Sequence, residues 1–169
     1  MAQRLYIFVG YPGAGKTSIS RLIQEATGAV HIWADHERHN MFPEPTHSPE
    51  ESQALYAHLN DQTERLLADG KSVIFDTNFN FRHDRDYLRS IADKCGAETV
   101  LVWAQAPLDV AKQRAVHDSN LRNGYKAIMT EEHFDEIASK LEPPTADERP
   151  IIIDTSAFDP AAIKQRLGL

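Results

Sequence analysis

The chain has 169 residues, of which 41% are hydrophobic, and it carries a formal net charge of −7. This size is typical of one compact domain, expected here over residues 1–169, and the negative charge argues against a general basic surface for duplex nucleic acid. Cys95 is the only cysteine, so an internal disulfide and a cysteine-based metal site are excluded, and without a signal peptide or membrane-spanning run a cytoplasmic protein is expected.

The first predicted element is a buried strand at residues 5–9, and a glycine-rich loop follows it directly. Residues 10–17 match the phosphate-binding pattern G-x-x-x-x-G-K-[ST] at every specified position. Apolar residues at helical spacing come next and predict an amphipathic helix. A strand, this loop and a helix, in that order, are the context that the motif requires. We therefore expect the loop to bind the phosphates of ATP.

The chemistry of such a loop assigns roles to its residues. Glycines let the backbone turn tightly, so that successive amide N–H groups point at the phosphates. Lys16 supplies a full positive charge to the β and γ phosphates, and the Thr17 hydroxyl is expected to ligate Mg²⁺. The predicted nucleotide-binding residues are Gly10, Pro12, Gly13, Ala14, Gly15, Lys16, Thr17 and Ser18. The alternative is a chance glycine-rich turn, which the flanking strand and helix disfavour.

Beyond this helix, strands and helices are predicted to alternate almost to the end of the chain. Further strands are expected at 30–34, 72–75, 99–104 and 151–153. A short helix or turn is expected at 35–42, and helices at 49–69, 82–94, from 107, at 131–141 and from 160. Ser48 is expected to cap the helix at 49–69, with Glu51 completing a capping box. The polar stretch 118–130 is expected to be a mobile loop.

This alternation predicts an α/β fold, a three-layer sandwich with a parallel sheet of about five strands and helices on both faces. In such sheets ligands bind beyond the carboxyl ends of the strands. The phosphate loop, Asp35 and Asp76 all follow or end predicted strands, and so do the residues after Ala104. They should therefore lie along one edge of the sheet.

Asp35 and Asp76 are the candidate catalytic carboxylates on that edge. An acceptor hydroxyl must lose a proton, which suits Asp35 as general base; the alternative is a helix N-cap. Asp76 can accept a hydrogen bond from Thr17 or from a water on Mg²⁺. Its alternative is a turn-forming aspartate that bonds to its own backbone.

Four segments together resemble the kinase domain of polynucleotide 5′-hydroxyl kinases and the wider group of small P-loop kinases that includes zeta-toxin-like enzymes. They are the loop at 10–17, the Asp-x-x-Arg at 35–38, the Asp-Thr-Asn at 76–78, and the basic segment 111–114 with Arg122 beyond it. The resemblance implies a kinase that uses ATP and Mg²⁺, with Asp35 as general base. It also implies that Arg38 grips a phosphate of the acceptor and that Asn78 helps to orient the acceptor.

The same resemblance implies a helical lid around 112–141. Arg114 and Arg122 would close over the transferring phosphoryl group and stabilise its charge. Arg114 and Arg122 are farther apart than the corresponding arginines of the family. For Lys112 and Lys126 we prefer the interpretation that they are solvated cations.

Two further alternatives stay open. Arg38 could instead be a surface arginine paired with Glu37 or Glu44. His36 and His39 could share a helix face, but with no third ligand at a supporting spacing we interpret them as solvated or substrate-facing rather than zinc-binding.

The leading functional hypothesis is an ATP-dependent kinase that phosphorylates a hydroxyl of a nucleic-acid 5′ end, a nucleotide or a small metabolite. Such an enzyme needs ATP, Mg²⁺ and an acceptor, and no obligate protein partner or membrane is evident. The alternative is a nucleotide-binding ATPase switch that signals to a partner protein. Asp35 after the second strand, with a basic lid downstream, favours the kinase.

Overall fold

The computed structural model describes residues 2–78, 81–118 and 129–169. Within these ranges, parallel strands form a five-stranded sheet in the order β2-β3-β1-β4-β5. The strands are β1 (Arg4–Val9), β2 (Val30–Trp33), β3 (Val73–Asp76), β4 (Glu98–Gln105) and β5 (Ile151–Asp154). The predicted α/β sandwich with a parallel sheet of about five strands is confirmed.

Helices cover both faces of this sheet. They are α1 (Lys16–Thr27), α2 (Ala34–Met41), α3 (Pro49–Ala68), α4 (Arg82–Lys94), α5 (Leu108–Lys112), α6 (Glu131–Ser139) and α7 (Pro160–Leu167). One core cluster joins the sheet to α3 and α4, and a second joins it to α1 and α7. Because β1 is buried on both faces, its residues form a continuous apolar run and do not alternate between apolar and polar.

Successive side chains of β1 point to opposite faces of the sheet. Leu5, Ile7 and Val9 belong to the core cluster under α3 and α4. Tyr6 and Phe8 belong to the cluster under α1 and α7. The central strand therefore holds both layers of helices and fixes the loop that follows it.

Helix α3 has the predicted Ser48 cap but not the predicted capping box. The Ser48 side chain accepts a hydrogen bond of 3.1 Å from the backbone N–H of Glu51. The Glu51 carboxylate does not return to Ser48, and the Ser48 N–H donates to Thr46 Oγ1 at 3.4 Å instead. The Glu51 carboxylate accepts hydrogen bonds from Arg38 and Thr46 instead, so the prediction of a capping box is wrong.

The helix predicted from 107 continues into a π-helical turn, and a 3-10 turn has no counterpart in the predictions. A π-helical turn continues α5 at Gln113–His117, and a 3-10 turn lies at Ala146–Glu148. The second turn is anchored by Glu148, whose carboxylate accepts hydrogen bonds of 2.8 Å from the buried Arg85 of α4. The predicted loop at 118–130 falls mostly outside the described residues.

All strands run the same way, so their carboxyl ends meet at one edge of the sheet. That edge carries the glycine loop after β1, Asp35 after β2, Asp76 at the end of β3 and Thr155 after β5. The strand order thus confirms that the glycine loop, Asp35 and Asp76 gather at one edge, and it adds Thr155 to them. In the part of the chain that is described, no helix has the length and apolarity needed to cross a membrane.

Candidate active site

A cleft of about 960 Å³ opens at this edge of the sheet. Of the predicted nucleotide-binding residues, those that line it are Pro12, Gly13, Gly15, Lys16, Thr17 and Ser18. The other two, Gly10 and Ala14, are part of the loop but do not line the cleft. Gly10 packs against the carbonyl of Ala104, and Ala14 is fully buried in the core. One surface of the loop therefore faces the cleft, and the other packs against the sheet and the core.

The backbone of the loop requires glycine where it turns towards α1. Gly13 has φ +80°, and a Cβ placed there would lie 2.2 Å from the carbonyl oxygen of Ala111. Gly15 precedes α1 with φ +94°, and no side chain caps the helix. The unpaired N–H groups and the positive end of the helix dipole therefore remain available to an anion.

Lys16 is buried at the head of α1, with 5% of its surface exposed. Its Nζ donates hydrogen bonds of 2.8 Å to the carbonyls of Gly10 and Tyr11, which belong to its own loop. Burial lowers the pKa of Lys16 to about 8, against the opposing effect of the Asp76 and Asp35 carboxylates. A triphosphate beside the ammonium would favour its charged form.

Asp35 is the second residue of α2 and lines the same cleft. Trp33, not Asp35, is the N-cap of α2, so the alternative interpretation of Asp35 as a cap is wrong. Burial, and then the negative charge of Asp76, raise the pKa of Asp35, while Arg38 and Lys16 oppose the rise. A carboxylate with a raised pKa is a stronger proton acceptor, which suits a general base.

Asp76 lies behind the cleft wall, with 3% of its surface exposed. Its Oδ2 is 2.9 Å from Nε2 of His31 on the neighbouring strand β2, a partner that the sequence did not suggest. The carboxylate of Asp76 and the hydroxyl of Thr17 are the hard oxygen donors that Mg²⁺ prefers. Both follow β-strands at one edge, and the donor chemistry therefore fits this ion.

Protein side chains do not form a complete metal cage in the described ranges. No group of three or more His, Cys, Asp or Glu residues among them could hold an ion, which argues against zinc at His36 and His39. Mg²⁺ is usually bound by one or two protein groups together with substrate phosphates and water. Asp76 and Thr17 suit that pattern.

Arg38 is buried and lines the same cleft as Asp35. Its Nη1 is 2.5 Å from Oε1 of Glu51, and its Nη2 donates to Ser52 Oγ at 3.2 Å. The alternative of a surface arginine paired with Glu37 or Glu44 is therefore wrong. Asn78 lines the cleft as well, as expected of a residue that helps to orient an acceptor.

Arg114 lies on the π-helical turn and also lines the cleft. Its Nη2 donates to the carbonyl of Thr155 at 2.9 Å, and its Nη1 lies 3.5 Å from the carbonyl oxygen of Gly13. The guanidinium is therefore held beside the phosphate loop. Arg122, the second predicted lid arginine, and Lys126 lie outside the described residues.

Lys112 does not face the cleft. Its Nζ is 3.0 Å from both carboxylate oxygens of Asp135 on α6, and its side chain is 27% exposed. The interpretation of Lys112 as a solvated cation rather than a phosphate ligand is consistent with this exposed ion pair, which joins α5 to α6. The prediction of a lid around 112–141 stays a prediction.

Several residues make contacts in the site that the sequence did not indicate. Thr155 is fully buried, and its hydroxyl lies 2.6 Å from the carbonyl oxygen of Ala14 and 3.1 Å from that of Gln105. The end of β5 was a signal for this residue, because every strand of the sheet ends at the site. Other missed residues that line the cleft are Arg21, His47, Ser52, Tyr56, Phe81, His133, Lys140 and Phe158.

Most of the chain matches one protein family. The family described as AAA domain matches residues 5–144. Among curated proteins, a shikimate kinase from Rhizobium meliloti (strain 1021) is 30% identical over 139 residues, which cover 78% of this chain. The match covers 65% of the length of that relative, slightly less than two thirds.

Solved structures share the fold across nearly the whole chain. A crystal structure from Chloroflexus aurantiacus j-10-fl matches with a TM-score of 0.77 at 18% identity, covering 99% of this chain and 98% of the other. A gluconokinase from Sinorhizobium meliloti 1021 matches with a TM-score of 0.66 at 22% identity, covering 98% and 88%. A chain of the Pnkp1/Rnl/Hen1 RNA repair complex matches at 0.64 and 19%, covering 83% and 44%.

Proposed function

The chain belongs to the family of AAA domains, and we propose that it is an ATP-dependent kinase that transfers the γ-phosphoryl group to a hydroxyl of a small acceptor. The observation that carries the proposal is that one cleft holds both halves of the chemistry. The phosphate loop with Lys16 lies in it, and so does the Asp35 carboxylate. The shikimate kinase relative, an enzyme named for a small hydroxylated acid, supports an acceptor of this size.

The main site residues have distinct roles in the proposed phosphoryl transfer. The loop N–H groups and Lys16 hold the triphosphate, and Asp35 accepts the proton of the acceptor hydroxyl. Arg114, held against Thr155 beside the loop, stabilises charge on the transferring phosphoryl oxygens. Thr17 and Asp76 would hold Mg²⁺, which supplies charge neutralisation at the phosphates when bound. Arg122 stays a prediction for the same role as Arg114.

The acceptor side of the cleft extends beyond Asp35 to Arg38 and Asn78. A nucleic-acid 5′ end, as the resemblance to polynucleotide kinases implies, is the second candidate acceptor. The net charge of −7 and a cleft of about 960 Å³ favour a compact acceptor over a long polyanion. Localisation in the cytoplasm and independence from a protein partner stay predictions.

The ATPase switch is the competing function, and the position of Asp35 speaks against it. A switch requires a residue that positions water and a segment that reports the γ-phosphate. Here the carboxylate next to the phosphate loop has a raised pKa and lies on the path to a roomy acceptor pocket. That arrangement suits a hydroxyl better than a water.

The proposal is tested by incubating the protein with γ-labelled ATP, Mg²⁺ and a panel of acceptors. The panel contains hydroxy acids, sugars, nucleosides and a 5′-hydroxyl oligonucleotide. We expect label on a small acceptor and little free phosphate. Label that appears only as free phosphate, with every acceptor, would support the switch and reject the kinase.

A further inference from the structure

Three imidazoles from separate parts of the chain line the acceptor side of the cleft. His39 belongs to α2, His47 to the loop before α3, and His133 to α6. The buried guanidinium of Arg38 lies on the same side. We call these four residues the histidine wall.

The orientation of His39 is set by its own helix. Its Nδ1 is 2.8 Å from the backbone carbonyl of Asp35, one turn earlier. A carbonyl only accepts hydrogen bonds, so Nδ1 carries the hydrogen and donates it to this carbonyl. His39 is therefore tied to the residue that we propose as the general base.

His47 is held in place by Glu51, the residue that also holds Arg38. The backbone N–H of His47 donates to Glu51 Oε1 at 3.2 Å, and Thr46 donates to Oε2 through its backbone N–H at 2.7 Å. These bonds accompany a left-handed backbone at His47, with φ +57°. Such a conformation is costly for a residue other than glycine and is found most often at functional sites.

His133 of α6 completes the wall beside His47. Its ring meets that of His47 edge-on, with 5.6 Å between the ring centroids and 67° between the planes. The contact joins α6 to the loop before α3. Three separate segments thus converge on one small region, which none of them forms alone.

The charges that face His47 come from every element packed around it. Arg38 and His39 face it from α2, His133 from α6 and Glu51 from α3. Burial, Arg38 and His133 lower the pKa of His47, and Glu51 opposes them. The positive groups therefore repel one another when protonated.

Acidic neighbours of the wall are already engaged. Glu51 holds Arg38 and the loop at Thr46, which outweighs the effect of burial and lowers the pKa of Glu51 to about 2. Glu136 on α6 lies 2.8 Å from Lys140, which also lines the cleft. Asp35 remains near His39, but its role lies at the acceptor hydroxyl. A further anion at the wall would relieve the mutual repulsion of its imidazoles.

We propose that the histidine wall binds an oxyanion group, a carboxylate or a phosphate, of the acceptor and so selects an acidic alcohol as substrate. The proposal deepens the kinase function proposed above and rests on it for the identity of the acceptor. Imidazolium and guanidinium groups donate charge-assisted hydrogen bonds to such an anion. A metal is the wrong occupant, because no cluster among the described residues has ligand geometry.

Binding at the wall is coupled to protons. An anion stabilises the charged form of the His47 imidazole, whose pKa is lowered by burial and by Arg38 and His133, so this imidazole takes up a proton when the anion binds. Affinity for the anion therefore rises as the pH falls from 8 to 6. Sulfate is the suitable probe, since it does not itself titrate over this range.

The test uses the whole chain with a non-hydrolysable ATP analogue at saturation, so that the phosphate loop is occupied. Sulfate, inorganic phosphate and acetate are then titrated separately, and the ring C–H resonances of the histidines are followed by NMR at pH 6 and pH 8. The three anions distinguish a site for phosphate from one for carboxylate. The variants His47→Gln and His133→Gln are compared with His83→Gln, whose side chain is 77% exposed on α4.

We expect sulfate or acetate to shift the resonances of His39, His47 and His133, with affinity about tenfold higher at pH 6 than at pH 8. Each of the two wall variants should weaken the anion about fivefold to tenfold, while His83→Gln leaves the affinity unchanged. The proposal is overturned if no anion up to high millimolar concentration shifts these rings, or if the wall variants bind it as the wild type does. Failure of the ATP analogue to bind would instead reject the kinase; the anion titration of the nucleotide-free Lys16→Ala variant then still decides on the wall.

Discussion

The hydroxyl of Thr155 lies 2.6 Å from the carbonyl oxygen of Ala14, so a residue at the end of β5 holds the centre of the phosphate loop. The same hydroxyl lies 3.1 Å from the carbonyl oxygen of Gln105 at the end of β4, and the Thr155 carbonyl accepts a hydrogen bond from Arg114. Thr155 thus joins the loop, two strand ends and a candidate catalytic arginine.

Replacing Thr155 by valine keeps its shape but removes the hydroxyl. The carbonyl of Ala14 then loses its hydroxyl donor in a buried position, which costs about 1–3 kcal/mol, whereas the Gln105 carbonyl keeps the backbone N–H of Thr155 at 2.8 Å. We expect the free energy of unfolding in urea to fall by this amount and ATP to bind more weakly. Thr155→Ser retains the hydroxyl and should restore most of the ATP affinity; valine and serine variants of equal affinity would contradict the role.

Gly13→Ala should disrupt the site more than an ordinary glycine substitution. The added Cβ would lie 2.2 Å from the Ala111 carbonyl oxygen, whereas at Gly28, with φ +71°, it would meet open space. We expect Gly28→Ala to cost about 1 kcal/mol of unfolding free energy, from backbone conformation alone, and Gly13→Ala about 3 kcal/mol or more. Chemical denaturation of the pair measures the difference, and equal losses would show that Gly13 has room.

The pKa of Lys16, lowered to about 8, predicts how ATP affinity depends on pH. Bound phosphates raise this pKa, so above pH 8 the protein must take up a proton when ATP binds. The affinity should therefore be constant below pH 7.5 and fall by up to about tenfold per unit above pH 8.5. Calorimetry in buffers of different ionisation enthalpy measures the proton uptake.

A matched pair of variants assigns that proton to Lys16. Lys16→Met should abolish the proton uptake and most of the ATP binding. Lys71→Met, a change at an exposed lysine before β3, should preserve both. Proton uptake that persists in Lys16→Met would show that another group titrates.

Asp35→Asn tests the general base. The change removes the proton acceptor but keeps the size of the side chain, so phosphoryl transfer should fall by about 10²–10⁴-fold. ATP affinity should change by less than about threefold, since Asp35 lies on the acceptor side. Asp69→Asn, at the exposed C-cap of α3, is the control. Transfer at the wild-type rate in Asp35→Asn would remove this residue from the chemistry.

Glu51→Gln tests how much the contact between Glu51 and Arg38 contributes to the free energy of unfolding. Hydrogen bonds from Thr46, Arg38 and His47 outweigh burial and lower the pKa of Glu51 to about 2, so its contribution is complete above about pH 4.5 and is lost as the pH falls towards 2. Because the variant leaves a buried Arg38 unpaired, we expect a loss of about 3 kcal/mol at pH 7. The wild type should approach the variant in acid, and a difference that stays constant down to pH 2 would contradict the assignment.

Much of the site could be predicted because its signals are local. The loop at 10–17 is a contiguous motif, and the rule that ligands bind beyond the carboxyl ends of parallel strands located Asp35 and Asp76 from the strand pattern alone. Both residues lie at the predicted edge of the observed sheet. Local pattern and strand order therefore suffice for the nucleotide half of the cleft.

The contacts that hold Arg38 and the histidines in the cleft could not be predicted, because they join segments that are distant in sequence. For Arg38 the nearby Glu37 and Glu44 were the evident partners, but the packing of α2 on α3 brings Glu51 to it instead. The same competition removed Glu51 from its capping box. His31 beside Asp76, and the meeting of His47 with His133, likewise arise only from the three-dimensional arrangement.

The bond between Thr155 and Ala14 spans 141 residues of chain, and this sets the moment in biosynthesis when the site can be assembled. At a translation rate of about 5–20 residues per second, the ribosome needs on the order of ten seconds to travel from one to the other. Throughout that interval the nascent glycine segment has no β5 to brace it. The bond that braces the loop can therefore form only late in synthesis, after β5 has been made.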